Sequence, residues 1–153
     1  SFPMSLVMAL TSIALGVGGL PLRTLAVKLS GWEMRSMPNL QDELFRRPPW
    51  QVVTKFISSA ALEELVFRGM LLPLAVLLFS WMPPIPAFAL GSLAVSLVFA
   101  RIHGYGSVWS RVVGGMLYSG AFAVSGTILV PILMHLSFNL TVYFQARRAK
   151  AGT

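Results

Sequence analysis

The chain has 153 residues, of which 56% are hydrophobic and only 11% are charged. An ordinary soluble domain carries about 25% charged residues, so this composition excludes a typical globular domain, and the hydrophobicity excludes a disordered chain. With a mean hydropathy of +0.74, the sequence predicts an all-α fold, a polytopic transmembrane helix bundle with about five spans of roughly 20 residues each. The absence of cysteine removes disulfides, thiolate metal sites and a cysteine nucleophile.

Five apolar stretches in the sequence are the predicted spans. The first has no basic segment before it, which argues against a signal peptide. The second and third are separated by Pro83-Pro84, and the fourth and fifth share an uncharged stretch divided around Ser125-Gly126-Thr127. In chain order, the predicted spans lie at about residues 4–20, 50–81, 85–102 and, for the last two together, 112–145.

The positions of the basic residues predict the orientation. Five alternating spans place the connections 28–55 and 101–111 and the C-terminal tail on one side, while the loops on the other side carry no charge. The positive-inside rule makes the basic side cytoplasmic, or its equivalent in an organelle. The net charge of +7 is therefore interpreted as topology and attraction to membrane lipids, with no nucleic acid as a partner.

Three regions are predicted. Residues 1–49 hold the first span and a cytoplasmic-side connection, in which Asn39 and Pro48-Pro49 bound either a short interfacial helix or a solvated loop. Residues 50–146 form the transmembrane core. Residues 147–153 form a basic tail.

Polar side chains within the predicted spans are the candidate functional residues, because ionisable groups at membrane depth are costly. Glu64 and Arg68 are four residues apart with the acid first, which predicts a helical ion pair. Glu63 is rotated by about 100°, so it is expected to face a different wall of the bundle and to remain available. The spans must face one another to satisfy the whole set, which is Glu63, Glu64, Arg68, His103, His135 and Asn139.

This set of groups contains what amide hydrolysis needs. A carboxylate and an imidazole can together orient and deprotonate water. A second imidazole and a carboxamide can donate hydrogen bonds to the oxygen that becomes negative. Other protease classes are disfavoured, because HExxH is absent, Asp42 is the only aspartate, and Ser125 is poorly placed for a serine–histidine dyad.

Three motifs occur in order on separate predicted spans. EExxxR is present as Glu63-Glu64-Leu65-Val66-Phe67-Arg68, FxxxH as Phe99-Ala100-Arg101-Ile102-His103, and HxxxN as His135-Leu136-Ser137-Phe138-Asn139. In these motifs the sequence resembles the CPBP family, the CAAX protease and bacteriocin-processing group, also called the Abi or type II CAAX prenyl endopeptidase family. The resemblance covers about residues 50–143.

The resemblance implies a membrane endopeptidase whose cavity opens toward the cytosol and the bilayer. By this resemblance, Glu63 and His103 would activate water, while His135 and Asn139 would form the oxyanion hole. Its implied substrate is a membrane-associated or lipidated peptide, such as a prenylated CaaX tail. Residues 50–146 would then be the catalytic core.

The resemblance also implies supporting roles. Glu64 and Arg68 would support the site, with Glu64 assisting catalysis, and Phe99 would place an aromatic ring beside the histidine of its motif. These assignments involve no metal and no cofactor.

Alternatives to this reading remain open. Glu63, His103 and His135 could instead hold one divalent metal ion such as zinc, with water as the fourth ligand. A non-catalytic membrane subunit or scaffold of a larger complex could keep the polar cluster for packing. A small ion or peptide transporter is disfavoured, because five spans without a repeat offer no alternating-access symmetry.

Overall fold

The computed structural model describes residues 45–103 and 108–151. The predicted first span and most of the connection that follows it lie outside the described residues. Within these two ranges every regular element is a helix, which confirms the all-α class. The elements are α1 (Pro49–Glu64), a π-helical segment (Leu65–Leu71), α2 (Leu72–Leu78), α3 (Pro84–Ile102), α4 (Val108–Ser125) and α5 (Leu129–Ala151).

Helix α1, the π-helical segment and α2 follow one another without a break. The Leu72 N–H donates to the Phe67 carbonyl, five residues earlier, which is the spacing of a π-helix. Pro73 lacks the N–H that would bond to the Gly69 carbonyl, and its ring would clash with that carbonyl in a regular helix. The wider turn before Pro73 relieves this conflict.

The breaks between helices fall where the sequence predicts them. Pro83 has the extended backbone that precedes α3, as expected for a proline just outside a helix. Gly126 has a φ of 66°, and its N–H donates to the Phe122 carbonyl at 2.9 Å. This left-handed glycine closes α4, so that α5 can start three residues later.

Helix α3 packs against α2 and α4. It approaches α2 at Gly91, where an added Cβ would lie 2.9 Å from Val76 Cγ2, and α4 at Gly115, where it would lie 2.7 Å from Ser96 Oγ. Helices α1 and α4 both pack against α5. The buried hydrophobic core consists of Phe67, Leu72, Val95 and Phe99.

Hydropathy along the described helices supports one membrane span. Among the residues described, α3 is the one helix long and apolar enough to cross a bilayer, with a mean hydropathy of 1.9, and α5 contains a shorter apolar stretch, Leu129–Phe144. The prediction of five spans is therefore not confirmed. The second predicted span carries Lys55 and three charged side chains from Glu63 to Arg68, and α4 carries Arg111 among glycines and serines.

A cavity of about 540 Å³ lies between α2, the start of α3 and the end of α4, and most of its lining is apolar. Ala87, in the first turn of α3, is one of the residues that line the cavity. At ~1.5 Å per residue, Ala87 is about 24 Å along the helix axis from His103. This cavity is therefore separate from the polar cluster at the other end of α3.

Candidate active site

Glu63 lies in the last turn of α1, and its carboxylate is close to two histidines. Its Oε1 accepts a hydrogen bond from Ser59, one turn earlier. Its Oε2 lies 3.2 Å from His103 Nε2 and 3.7 Å from His135 Nε2. The side chains of Glu63 and His103 are 23% and 31% exposed, so this part of the cluster can be reached by water.

His103 is held at the end of α3 by the residue one turn before it. Its Nδ1 lies 2.8 Å from the Phe99 carbonyl oxygen, and the two rings are 4.2 Å apart between centroids. A carbonyl oxygen only accepts hydrogen bonds, so Nδ1 carries the proton. The His103 Nε2 atom is therefore the one that faces Glu63, at 3.2 Å from its Oε2.

Glu64 and Arg68 form the ion pair predicted from their spacing, and both side chains are 0% exposed. Arg68 Nη1 lies 3.2 Å from both carboxylate oxygens of Glu64, and Nη2 donates to the Gly115 carbonyl at 2.9 Å. The guanidinium carbon is 5.3 Å from the ring centroids of Phe99 and Tyr118. Because an unpaired charge is very costly to bury, these contacts compensate the burial of the Glu64–Arg68 pair.

His135 lies between the two glutamates. Its Nδ1 is 2.9 Å from Glu64 Oε1, while its Nε2 is 3.7 Å from Glu63 Oε2. Since Glu64 is the ionised partner of Arg68, its oxygen accepts and His135 Nδ1 carries the proton. Glu63 meets His103 on α3 while Glu64 meets Arg68, as their rotation on the helix predicts, but both carboxylates also approach one imidazole, from opposite nitrogens.

The structure brings together all but one of the predicted site residues. Asn139 is half-buried on α5, one turn after His135, and its side chain makes no hydrogen bond with the residues that the structure describes. Its predicted place in an oxyanion hole stays a prediction. Phe99, the predicted supporting aromatic, touches both histidines, with its ring centroid 4.2 Å from that of His103 and 6.1 Å from that of His135.

Three contributors to the cluster were missed by the sequence analysis. Ser59 precedes Glu63 by four residues, a spacing that could have revealed it. The Gly115 carbonyl accepts a hydrogen bond from Arg68. Every residue has a backbone carbonyl, so the sequence cannot show which one makes such a contact between distant helices. Tyr118 stacks on His135 with centroids 5.2 Å apart and 20° between the planes, and an aromatic residue in an apolar helix gives no specific signal.

Metal ligation was the alternative for Glu63, His103 and His135. Across residues 45–103 and 108–151, no group of three or more His, Cys, Asp or Glu side chains is arranged to hold a metal ion. The Glu63 carboxylate and the His103 imidazole nitrogen are 3.2 Å apart. Next to them lies the imidazole of His135, which is oriented by Glu64, the carboxylate that is paired with Arg68. Such groups can accept a proton from water and donate to a developing oxyanion.

Over residues 45–103 and 108–151 the fold is helical and holds an acid–imidazole cluster within the bundle, and these two features define the class of protein. A model of the type II CAAX prenyl endopeptidase Rce1-like family matches residues 45–141, well over half of the chain and every predicted site residue. The chain therefore belongs to this family, which confirms the resemblance recognised in the motifs. The family consists of integral membrane proteins of the CAAX prenyl endopeptidase type. No curated protein and no solved structure matches the chain.

Proposed function

We propose that the chain is a metal-independent intramembrane endopeptidase that hydrolyses a peptide bond of a membrane-associated substrate, with a prenylated CaaX tail as the first candidate. The observation that carries the proposal is the 3.2 Å distance between His103 Nε2 and Glu63 Oε2, beside a second carboxylate that Arg68 already neutralises. Membership of the Rce1-like family supports the same reaction. The basic residues favour a site that opens toward the cytoplasmic side.

Counting charges indicates how many protons the cluster holds. Glu63 and Glu64 contribute two negative charges and Arg68 one positive charge, so one imidazolium makes the cluster neutral, which burial favours. If this proton is on His135, Nδ1–H is bonded to Glu64 and Nε2–H is free to donate. With the His103 proton on Nδ1, its Nε2 and the Glu63 carboxylate are both acceptors, so in this proposal they move apart to take a water molecule between them, which donates a hydrogen bond to each.

In the proposed reaction, water held by Glu63 and His103 attacks the carbonyl carbon of the scissile bond, and its proton passes to this pair. The carbonyl oxygen becomes negative and accepts hydrogen bonds from His135 Nε2–H and from the Asn139 carboxamide. The C–N bond then breaks as the proton is delivered to the amide nitrogen. The products are a carboxylate and an amine, and no covalent enzyme intermediate is needed.

The test compares the detergent-purified parent chain with Glu63→Gln, which removes the negative charge and keeps the size of the side chain. Glu33→Gln is the matched control, because it removes one carboxylate outside the residues that the family model matches. Each protein is offered a farnesylated CaaX peptide and its unprenylated form, with and without a chelator. We expect the parent and the control to cleave, and Glu63→Gln to be slower by at least about a hundredfold.

Three results would contradict the proposal. Cleavage that a chelator abolishes would favour a metal ion held by Glu63, His103 and His135. Full activity of Glu63→Gln would remove the carboxylate from the reaction. A folded parent chain that cleaves neither peptide would favour the non-catalytic membrane subunit.

A further inference from the structure

Tyr118, on α4, contacts both residues that bind the buried Glu64 carboxylate, which are His135 and Arg68. Its ring is stacked on His135, with centroids 5.2 Å apart and 20° between the planes. The Arg68 guanidinium carbon lies 5.3 Å from the same ring. Tyr118 is itself buried, with 8% of its surface exposed, so these contacts are shielded from solvent.

The hydrogen bond from His135 Nδ1 to Glu64 fixes only part of the orientation of the imidazole. A ring held at one nitrogen can still tilt about that bond, which would move Nε2 toward or away from Glu63. The face of Tyr118 blocks this tilt on one side, and Phe99 approaches at 78° to the His135 ring. Two aromatic rings and one hydrogen bond thus define where Nε2 points.

The guanidinium of Arg68 is restrained in a similar way. It lies between the rings of Phe99 and Tyr118, with its carbon 5.3 Å from each centroid, a geometry in which each ring attracts the cation. Phe99 belongs to the FxxxH motif, whereas Tyr118 lies in none of the three motifs. Helix α4 thus contributes an aromatic ring to the network in addition to the Gly115 carbonyl.

We infer that Tyr118 is a positioning residue: the face of its ring fixes the plane of the His135 imidazole and helps to hold the Arg68 guanidinium against Glu64. Its kinetic consequence rests on the proposed function, because His135 is the group that donates to the oxyanion there. The two contacts that carry this role are made by the ring. Tyr118→Phe is therefore conservative, and Tyr118→Leu is not.

The kinetic test measures kcat and KM separately for the parent, Tyr118→Phe and Tyr118→Leu. We expect Tyr118→Leu to lower kcat between about tenfold and a hundredfold with little change in KM, as misplacement of a reacting group does. Tyr118→Phe should stay within about threefold of the parent, which is a small effect on the barrier. Phe122→Leu is the matched control, because it removes an aromatic ring one turn further along α4 that packs on the hydrophobic core.

A second measurement needs no substrate. His103 and His135 are the only histidines in the chain, so NMR of protein labelled with ¹⁵N-histidine reports this site alone, and His103→Gln assigns the signals. We expect His135 to keep the proton on Nδ1 that faces Glu64 in the parent, Tyr118→Phe and Phe122→Leu. In Tyr118→Leu the ¹⁵N signals of His135 should show averaging between orientations of its imidazole ring, while the signals of His103 keep their chemical shifts.

The two measurements separate failure of this inference from failure of the proposed function. If the parent cleaves nothing, the NMR comparison still decides whether Tyr118 orients His135. Unchanged His135 signals in folded Tyr118→Leu would overturn the inference. A Tyr118→Phe variant that loses as much activity as Tyr118→Leu would also overturn it, because the hydroxyl would then be the active part.

Discussion

Arg68→Met removes the cation that neutralises Glu64 and keeps a long apolar side chain in its place. Both residues of the pair are 0% exposed and their charged atoms are 3.2 Å apart, so the variant leaves a carboxylate buried without its partner. Breaking one side of a buried pair costs about 3–5 kcal/mol of the free energy of unfolding. The lost hydrogen bond to the Gly115 carbonyl accounts for about 1.5–3 kcal/mol of that total.

A double-mutant cycle isolates the ion pair from the packing of either side chain. Arg68→Met with Glu64→Gln removes both charges, so we expect the double variant to be less destabilised than the sum of the singles by about 2–3 kcal/mol. Arg68→Lys is the control that keeps the charge but loses the planar contacts with Phe99 and Tyr118.

Denaturant unfolding of all four proteins and the control in one detergent measures these free energies. A cost below about 1 kcal/mol for Arg68→Met would refute the reasoning, because a buried carboxylate without its partner should cost more. So would a cycle that is additive to within about 0.5 kcal/mol, the agreement expected of independent sites.

Two further substitutions test contacts that position the site. Ser59→Ala removes the hydroxyl that donates to Glu63 and should slow turnover about tenfold without destabilising the fold. Ser58→Ala should leave turnover unchanged, since that hydroxyl bonds only to carbonyls of its own helix, and equal rates for the two variants would contradict the role of the first. Gly115→Ala places a Cβ 2.7 Å from a side-chain oxygen across the helix interface and should cost about 1–3 kcal/mol of unfolding free energy. Gly114→Ala, with nothing within 4 Å of the added Cβ, should cost nothing in thermal unfolding, and an equal cost for both would refute close packing.

The helix breaks and the buried ion pair were predictable because each depends on local chemistry. Proline cannot donate a backbone hydrogen bond, so Pro83-Pro84 suit the start of a helix, where the first N–H groups have no partner within the helix. Gly126 could adopt a positive φ where α4 ends. Glu64 and Arg68 are four residues apart, which places them on one helix face whatever the rest of the fold does.

Features set by contacts between helices were not predictable in the same way. The π-helical segment was not predicted, because a proline inside a helix can be accommodated by a kink or a break as well as by a wider turn. The attachment of both glutamates to His135 depends on how α5 lies against α1. The number of spans was estimated from apolar length, yet Arg111 and the small residues of α4 lower its hydropathy below that of a clear span.

The Gly115 carbonyl has a consequence for how this site can vary. It accepts hydrogen bonds from Arg68 at 2.9 Å and from Ser119, one turn later in the same helix, at 3.0 Å, and a Cβ added at Gly115 would lie 3.3 Å from Arg68 Nη2. A main-chain oxygen is present whichever residue occupies the position, so no substitution can delete this acceptor. A substitution can change the distance between this oxygen and its donors. Tolerance to mutation at position 115 therefore depends on the volume of the new side chain, while the acceptor atom stays the same.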